Sequence, residues 1–253
     1  MKIMILKLLR LKRKMLVFIY NGEGASEFCV KETIKTFSSM GCATQLIYSD
    51  TLGVLLVAKK PSIFVMPGGR DLPYLQDIGY EGVAIIKEFV NSGGIYLGFC
   101  AGAYFAAHSV EFELNTAMEV KGDRPLKFFP VVAYGTLYPE TQFVYGSEEG
   151  ARASRVKAGS GQYINVYYNG GCAFRNHGDV DVDVLCWYTD VVGTPPAVVY
   201  VKHGLGQAII SGVHFEISPE GALDEGVDPS VVDAMETTNV PKILFMKKIL
   251  GIN

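Results

Sequence analysis

Apolar residues in this chain gather in short unbroken runs separated by stretches with a helical period. LVFIY (16–20), SIFVM (62–66) and GIYLGF (94–99) are each about one strand long, almost wholly apolar and rich in β-branched or aromatic side chains. Runs of that kind are strands buried on both faces. ATQLIYS (43–49) predicts a further strand. Between them, Ser26 reads as the N-cap of a helix running to Met40, with Phe28, Ile34 and Phe37 on its inner face and Gly41 as the stop. Residues 82–92 repeat the pattern with Val83, Ile86 and Val90 at helix spacing. Strands alternating with amphipathic helices predict an α/β fold with a mostly parallel central sheet covered on both faces. From about Glu111 to Val192 the helical period is lost, and VVAYGTLY (131–138), QYINVYY (162–168) and VDVDVLCWY (180–188) predict a β-rich elaboration of the main sheet. In the last run Val180, Val182 and Val184 share one face and Asp181 and Asp183 the other, which reads as a solvated strand face. AVVYVK (197–202) and QAIISGV (207–213), joined by the turn HGLG, close the strand pattern, and residues 229–250 predict a terminal helical region.

Composition narrows the class. With 49% hydrophobic and 19% charged residues in 253, the chain has too much apolar content for a disordered protein and enough for a large core. The 23 basic and 26 acidic residues leave a net charge of −3, which offers no basic field for a nucleic-acid partner. Five scattered cysteines with no CxxC pair, and four histidines with no HExxH, support neither a disulfide scaffold nor a dedicated metal site, and no cofactor is implied. A reducing, cytoplasmic setting is expected. Residues 1–15 form a basic N-terminal extension, with Lys2, Lys7, Arg10, Lys12, Arg13 and Lys14 and no acid before Glu23. An organellar presequence over 1–14 is the alternative reading of it. No apolar run is long enough to cross a bilayer. With no repeat or linker, residues 16–253 are expected to form a single domain.

Candidate chemistry sits at strand ends. Cys100 lies in Gly98-Phe99-Cys100-Ala101-Gly102, between a strand and a helix expected over 101–107. A nucleophile on so sharp a turn needs small neighbours, and the turn sets the sulfur at a helix start that favours thiolate. His214 and Glu216, just past the last apolar strand, would act as base and orienting acid, brought to Cys100 because parallel strands share a carboxyl edge. Pro67-Gly68-Gly69-Arg70-Asp71 follows another strand, so Gly68 and Gly69, together with the Ala101 amide, could donate to an oxyanion. Asp71, Tyr74 and Tyr104 are expected to line the substrate pocket. The other cysteines read as inert core residues.

PGGRDLPY, GGIYLGFCAGAYFA and GLGQAIISGVHFEIS, in that order, resemble the N-terminal domain of eukaryotic biotin–protein ligases within the class I glutamine amidotransferase-like superfamily. The resemblance spans Leu16 to about Pro219. It implies a flavodoxin-like three-layer sandwich and a Cys-His-Glu triad of Cys100, His214 and Glu216. Two positions depart from glutaminase members: Tyr104 stands where they carry Gln, and Phe215 where they carry Pro, so glutamine is not the expected substrate. The ligase's own catalytic domain, with its G-x-G-R-x-x-G loop and lysine, has no counterpart here, so no biotin ligase activity is expected. The implied function is a thiol-dependent amidotransferase-like or acyl hydrolase domain acting on a small amide or acyl substrate, with a partner enzyme in trans as an option. A non-catalytic small-molecule-binding or regulatory module on the same fold is the alternative.

Overall fold

The computed structural model describes residues 14–140, 143–175 and 182–252. The basic stretch 1–13 and residues 180 and 181 of the third middle run lie outside these. The chain opens as an alternation of β1 (Leu16–Tyr20), α1 (Glu27–Ser39), β2 (Ala43–Ile47), α2 (Val54–Val57), β3 (Ser62–Met66), α3 (Asp71–Asn91), β4 (Ile95–Phe99) and α4 (Ala101–Ala106). Strands follow: β5 (Ala107–Phe112), β6 (Val120–Asp123), β7 (Phe129–Gly135), β8 (Arg152–Ala158), β9 (Tyr163–Tyr168), β10 (Ala173–Phe174), β11 (Asp183–Tyr188), β12 (Pro196–His203) and β13 (Gly206–Ser211). Three helices close the chain, α5 (Pro219–Asp224), α6 (Pro229–Glu236) and α7 (Asn239–Leu250).

Nine strands form one sheet in the order β2-β1-β3-β4-β13-β12-β11-β8-β9. From β2 to β13 neighbours run parallel, and from β13 onward they run antiparallel. Both faces of β1, β3 and β4 are covered, which explains why their runs have no polar alternation, whereas the edge strand β2 is mostly exposed. Val17, Ile19, Val65 and Leu97 point to the side where Val30 and Phe37 of α1 and Met246 and Leu250 of α7 pack. Phe18, Tyr20, Phe64 and Tyr96 point to the other, against Ile78, Val83, Ile86 and Phe89 of α3. Each such side chain contributes about 1.5–3 kcal/mol on burial, so a polar residue at either parity would be costly. The result is the α/β three-layer sandwich that the sequence predicts.

Two expectations need correction. The β-rich middle does not all extend the main sheet: β10, β7, β5 and β6 form a separate four-stranded sheet in that order. Val110, Phe112, Phe129, Val131 and Phe174 seat this second sheet on the same core as α3. The helix expected at 82–92 is present and is preceded by a further helical piece from Asp71 that the sequence did not predict. Pro73 falls in the first turn of this earlier piece, where its missing N–H has no helical partner to lose. Gly79 takes φ 61°, ψ −178°, and so joins two helical pieces across a kink. Among the described residues no helix is long and apolar enough to cross a membrane.

Candidate active site

β3, β4 and β13 are adjacent and parallel, so their carboxyl ends open on one edge of the sheet. Three chain segments meet there: the Gly68-Gly69 turn after β3, Cys100 after β4, and His214 to Glu216 after β13. A cavity of about 1200 Å3 lies over them and is lined by Gly69, Asp71, Cys100, Ala101, Tyr104 and His214, among others.

Cys100 occupies φ 48°, ψ −105°, a region that a residue with a Cβ adopts only when its surroundings force it. The forcing contacts are on both sides. Its amide donates to Ser211 O at 2.9 Å, and its carbonyl accepts from the amides of Ala103 and Tyr104, each at 2.9 Å. A Cβ on Gly98 would stand 2.5 Å from Gly102 O, and one on Gly102 would stand 2.2 Å from Met66 O. The glycines at these two positions therefore let strand, elbow and helix share one point. The thiol is buried and donates to Asn169 O at 3.8 Å.

His214 lies three residues past the end of β13 and is held by its own amide, which donates to Tyr167 O at 2.9 Å. Its Nδ1 lies 2.7 Å from Glu216 Oε1, so Nε2 is the ring nitrogen left to exchange a proton with Cys100. Burial alone would pull the imidazole pKa down. The Glu216 carboxylate and the Cys29 and Cys100 thiols act the other way and leave it well above the usual histidine value. Phe215, between His214 and Glu216, faces away from the site and packs on Phe245 of α7 with ring centroids 5.1 Å apart. That packing pins the turn on which both functional side chains sit.

The predicted oxyanion and pocket residues separate into two groups. Gly69 and Ala101 reach the cavity, whereas Gly68 is not among its lining residues. The Gly68 carbonyl accepts from Ser26 N at 2.9 Å and from the Tyr74 hydroxyl at 3.1 Å. A Cβ on Gly68 would meet His214 Cε1 at 2.6 Å, so this glycine makes room for the imidazole. Tyr74 was expected in the pocket and is not there: it is fully buried beneath the loop, with its hydroxyl on the Pro67 and Gly68 carbonyls. Its role is to fix the loop from below. Asp71 lines the cavity but is paired with the buried Arg124 at 2.6 Å, which ties the start of α3 to the second sheet. Tyr104 lines the cavity and donates to Gly171 O at 3.0 Å.

Cys29, Tyr167 and Asn169 also belong to the site, and sequence reasoning passed over them. Cys29 Sγ lies 4.0 Å from His214 Nδ1, and Tyr167 packs edge-on against the imidazole at 5.5 Å. The usable signal for Cys29 was topological: β1 ends on the same edge as β3, so the NGEGAS turn and the first turn of α1 must also border the site. Asn169 enters from β9 of the elaboration and had no such signal.

Behind Glu216, Lys242 is buried and donates to Ile217 O. Burial pulls its ammonium down to about 8, while Glu216 and Glu32 resist the fall. Because the folded pKa lies below the unfolded 10.5, the penalty is complete below about pH 8 and is relieved as pH rises towards 10.5. Urea unfolding across that window is expected to show a gain of about 3 kcal/mol in the wild type that Lys242→Met lacks. Parallel pH curves for the two proteins would refute the assignment.

Comparison with known proteins places the chain in a family and a fold. The family described as "Biotin-protein ligase, N terminal" matches residues 15–252. A biotin–protein ligase of Schizosaccharomyces pombe is 33% identical over 247 residues, covering 93% of this chain and 38% of that protein. The chain thus spans well under half the length of that relative. An uncharacterized protein of Chlamydia muridarum is 32% identical over 213 residues, covering 81% of each. A crystal structure of a glutamine amidotransferase superposes with a TM-score of 0.52 at 16% identity, covering 90% of this chain and 98% of that one, which shows a shared fold.

Proposed function

As this chain belongs to the biotin–protein ligase N-terminal family, on a glutamine amidotransferase-like fold, we propose that it is a thiol-dependent acyl-transfer domain acting on a small amide or ester. The observation that carries this reading is Cys100, held at a strained elbow on a cavity wall beside a histidine already oriented by a buried glutamate. In the proposed sequence, the Cys100 proton rests on His214, whose raised pKa favours the imidazolium, and the thiolate attacks the substrate carbonyl. The amides of Gly69 and Ala101 hold the developing oxyanion. As the tetrahedral adduct collapses, the imidazolium returns its proton to the leaving amine or alcohol, and a thioester remains on Cys100. Water or an acceptor amine, deprotonated by His214, then releases the acyl group and regenerates the thiol. Tyr104 fills the place of the glutaminase Gln and spends its hydroxyl on Gly171 O, which supports a substrate other than glutamine.

Selective alkylation tests the first step. Burial pushes the thiols of Cys29, Cys42, Cys172 and Cys186 up, so each is held protonated at neutral pH. With iodoacetamide at pH 7, mass spectrometry is expected to find Cys100 modified at least about tenfold faster than any of these four. Equal labelling of Cys100 and Cys29 would sink the activated-thiol reading.

A further inference from the structure

We propose that Cys29, His214 and Glu216 form a binding site for a thiophilic divalent cation, zinc by the chemistry of its donors, and that metal bound there disables the base beside Cys100. The Cys29 Sγ, His214 Nδ1 and a Glu216 carboxylate oxygen lie within 4.8 Å of one another, and all three residues are buried. Thiolate, imidazole and carboxylate are the donors that zinc takes, at about 2.3 Å from sulfur and 2.0–2.2 Å from nitrogen or oxygen. The zinc–sulfur and zinc–nitrogen lengths together exceed the 4.0 Å from Cys29 Sγ to His214 Nδ1, so a bent bridge fits without pushing the two apart. Glu216 supplies a second, independent sign of a missing partner. Its side chain is 0% exposed, and Oε2 has no hydrogen-bond partner among the described residues. A buried carboxylate oxygen without a hydrogen bond is costly, and the neighbouring Lys242 ammonium donates to Ile217 O and makes none to it.

Charge and access both suit a divalent ion. One thiolate and one carboxylate neutralise a 2+ charge, so the loaded site buries no net charge. Cys29 and His214 line the cavity, which gives the ion an approach and leaves a fourth coordination position for water. On binding, the Cys29 thiol and the His214 imidazolium each release one proton to solvent, the latter from Nδ1, and the metal takes the two freed electron pairs. A neutral ring bound through Nδ1 carries its remaining proton on Nε2, so it cannot accept the Cys100 proton. Because protons are released, binding tightens as pH rises. The site is invisible in the sequence, since residues 29 and 214 lie at opposite ends of the chain and share no ligand spacing. It stands whether or not Cys100 turns over any substrate.

Metal-free protein titrated with Co2+, followed by competition with Zn2+, tests the site directly. The expected result is one ion per chain with a thiolate-to-cobalt charge-transfer band in the near ultraviolet. That band should survive in Cys100→Ser and vanish in Cys29→Ser, with Zn2+ affinity lowered at least about tenfold in the latter. Zn2+ should also slow alkylation of Cys100 in the wild type by tenfold or more and leave the rate in Cys29→Ser unchanged. Circular dichroism melts establish that each variant is folded, and Cys29→Ala serves if the serine variant is not. No band in the wild type, a band that persists without Cys29, or a band lost with Cys100 would each overturn the proposal.

Discussion

Cys100→Ser is expected to lower turnover of whatever ester or amide the domain accepts by about 10^4-fold or more, with little change in melting temperature. The size follows from how triads behave: removing the nucleophile alone costs nearly as much as removing the whole constellation, because the parts act as a unit. Serine keeps the volume and a hydrogen-bonding group at a position whose backbone is fixed by Ser211, Ala103 and Tyr104, so the elbow itself should persist. His214→Asn should cost a similar factor, and the double variant should be scarcely worse than either single one. Turnover is measured across a panel of small esters, amides and glutamine. The opposite outcome is equally informative. If Cys100→Ser binds a cavity ligand as the wild type does and no substrate in the panel is turned over by either protein, the domain is a binding module that keeps the elbow for its shape. Multiplicative losses in the double variant would also count against a coupled triad.

The parallel half of the fold was legible because its physics is local. LVFIY, SIFVM and GIYLGF must be buried on both faces, and such strands force the alternation with helices. The position of Cys100 was legible for a related reason: glycines on both sides of a strand-to-helix cysteine have few other uses, and the clashes at Gly98 and Gly102 supply the use. His214 and Glu216 followed from the shared edge of the parallel strands. What escaped depends on long-range placement. The division of the middle third into two sheets is decided by which apolar faces find the α3 side of the core, and alternation within one strand carries no information on that choice. Tyr74 was misplaced because its neighbours in sequence border the cavity while its own side chain turns under the loop. Cys29 reads as a core cysteine because its partner lies far along the chain, although the edge rule that places His214 applies to the end of β1 as well.

Gly102→Ala separates local propensity from tertiary crowding most sharply, since the two predict opposite signs. Gly102 lies inside α4, where alanine in place of glycine should stabilise by about 0.5–1 kcal/mol on helix propensity alone. The added Cβ, however, would stand 2.2 Å from Met66 O and 2.8 Å from Met66 C and Cβ. These are atoms of the central strand β3, buried throughout and hydrogen-bonded to neighbours on both sides, so the strand cannot yield. The helix must therefore move away and take the Cys100 elbow with it. Overpacking of this kind costs about 1–3 kcal/mol where the neighbours relax and more where they cannot, and a net loss of about 3 kcal/mol is expected here. For a chain of this length that corresponds to a fall in melting temperature of roughly 6–12 °C. Gly53→Ala provides the control: its φ is −54° and nothing lies within 4 Å of the added Cβ, so that variant should melt at or slightly above the wild type. Because the elbow shifts as well, Gly102→Ala should also slow alkylation of Cys100 in whatever fraction remains folded. A Gly102→Ala protein that melts with the Gly53→Ala control would mean that β3 and α4 do not meet as closely as the strained cysteine requires.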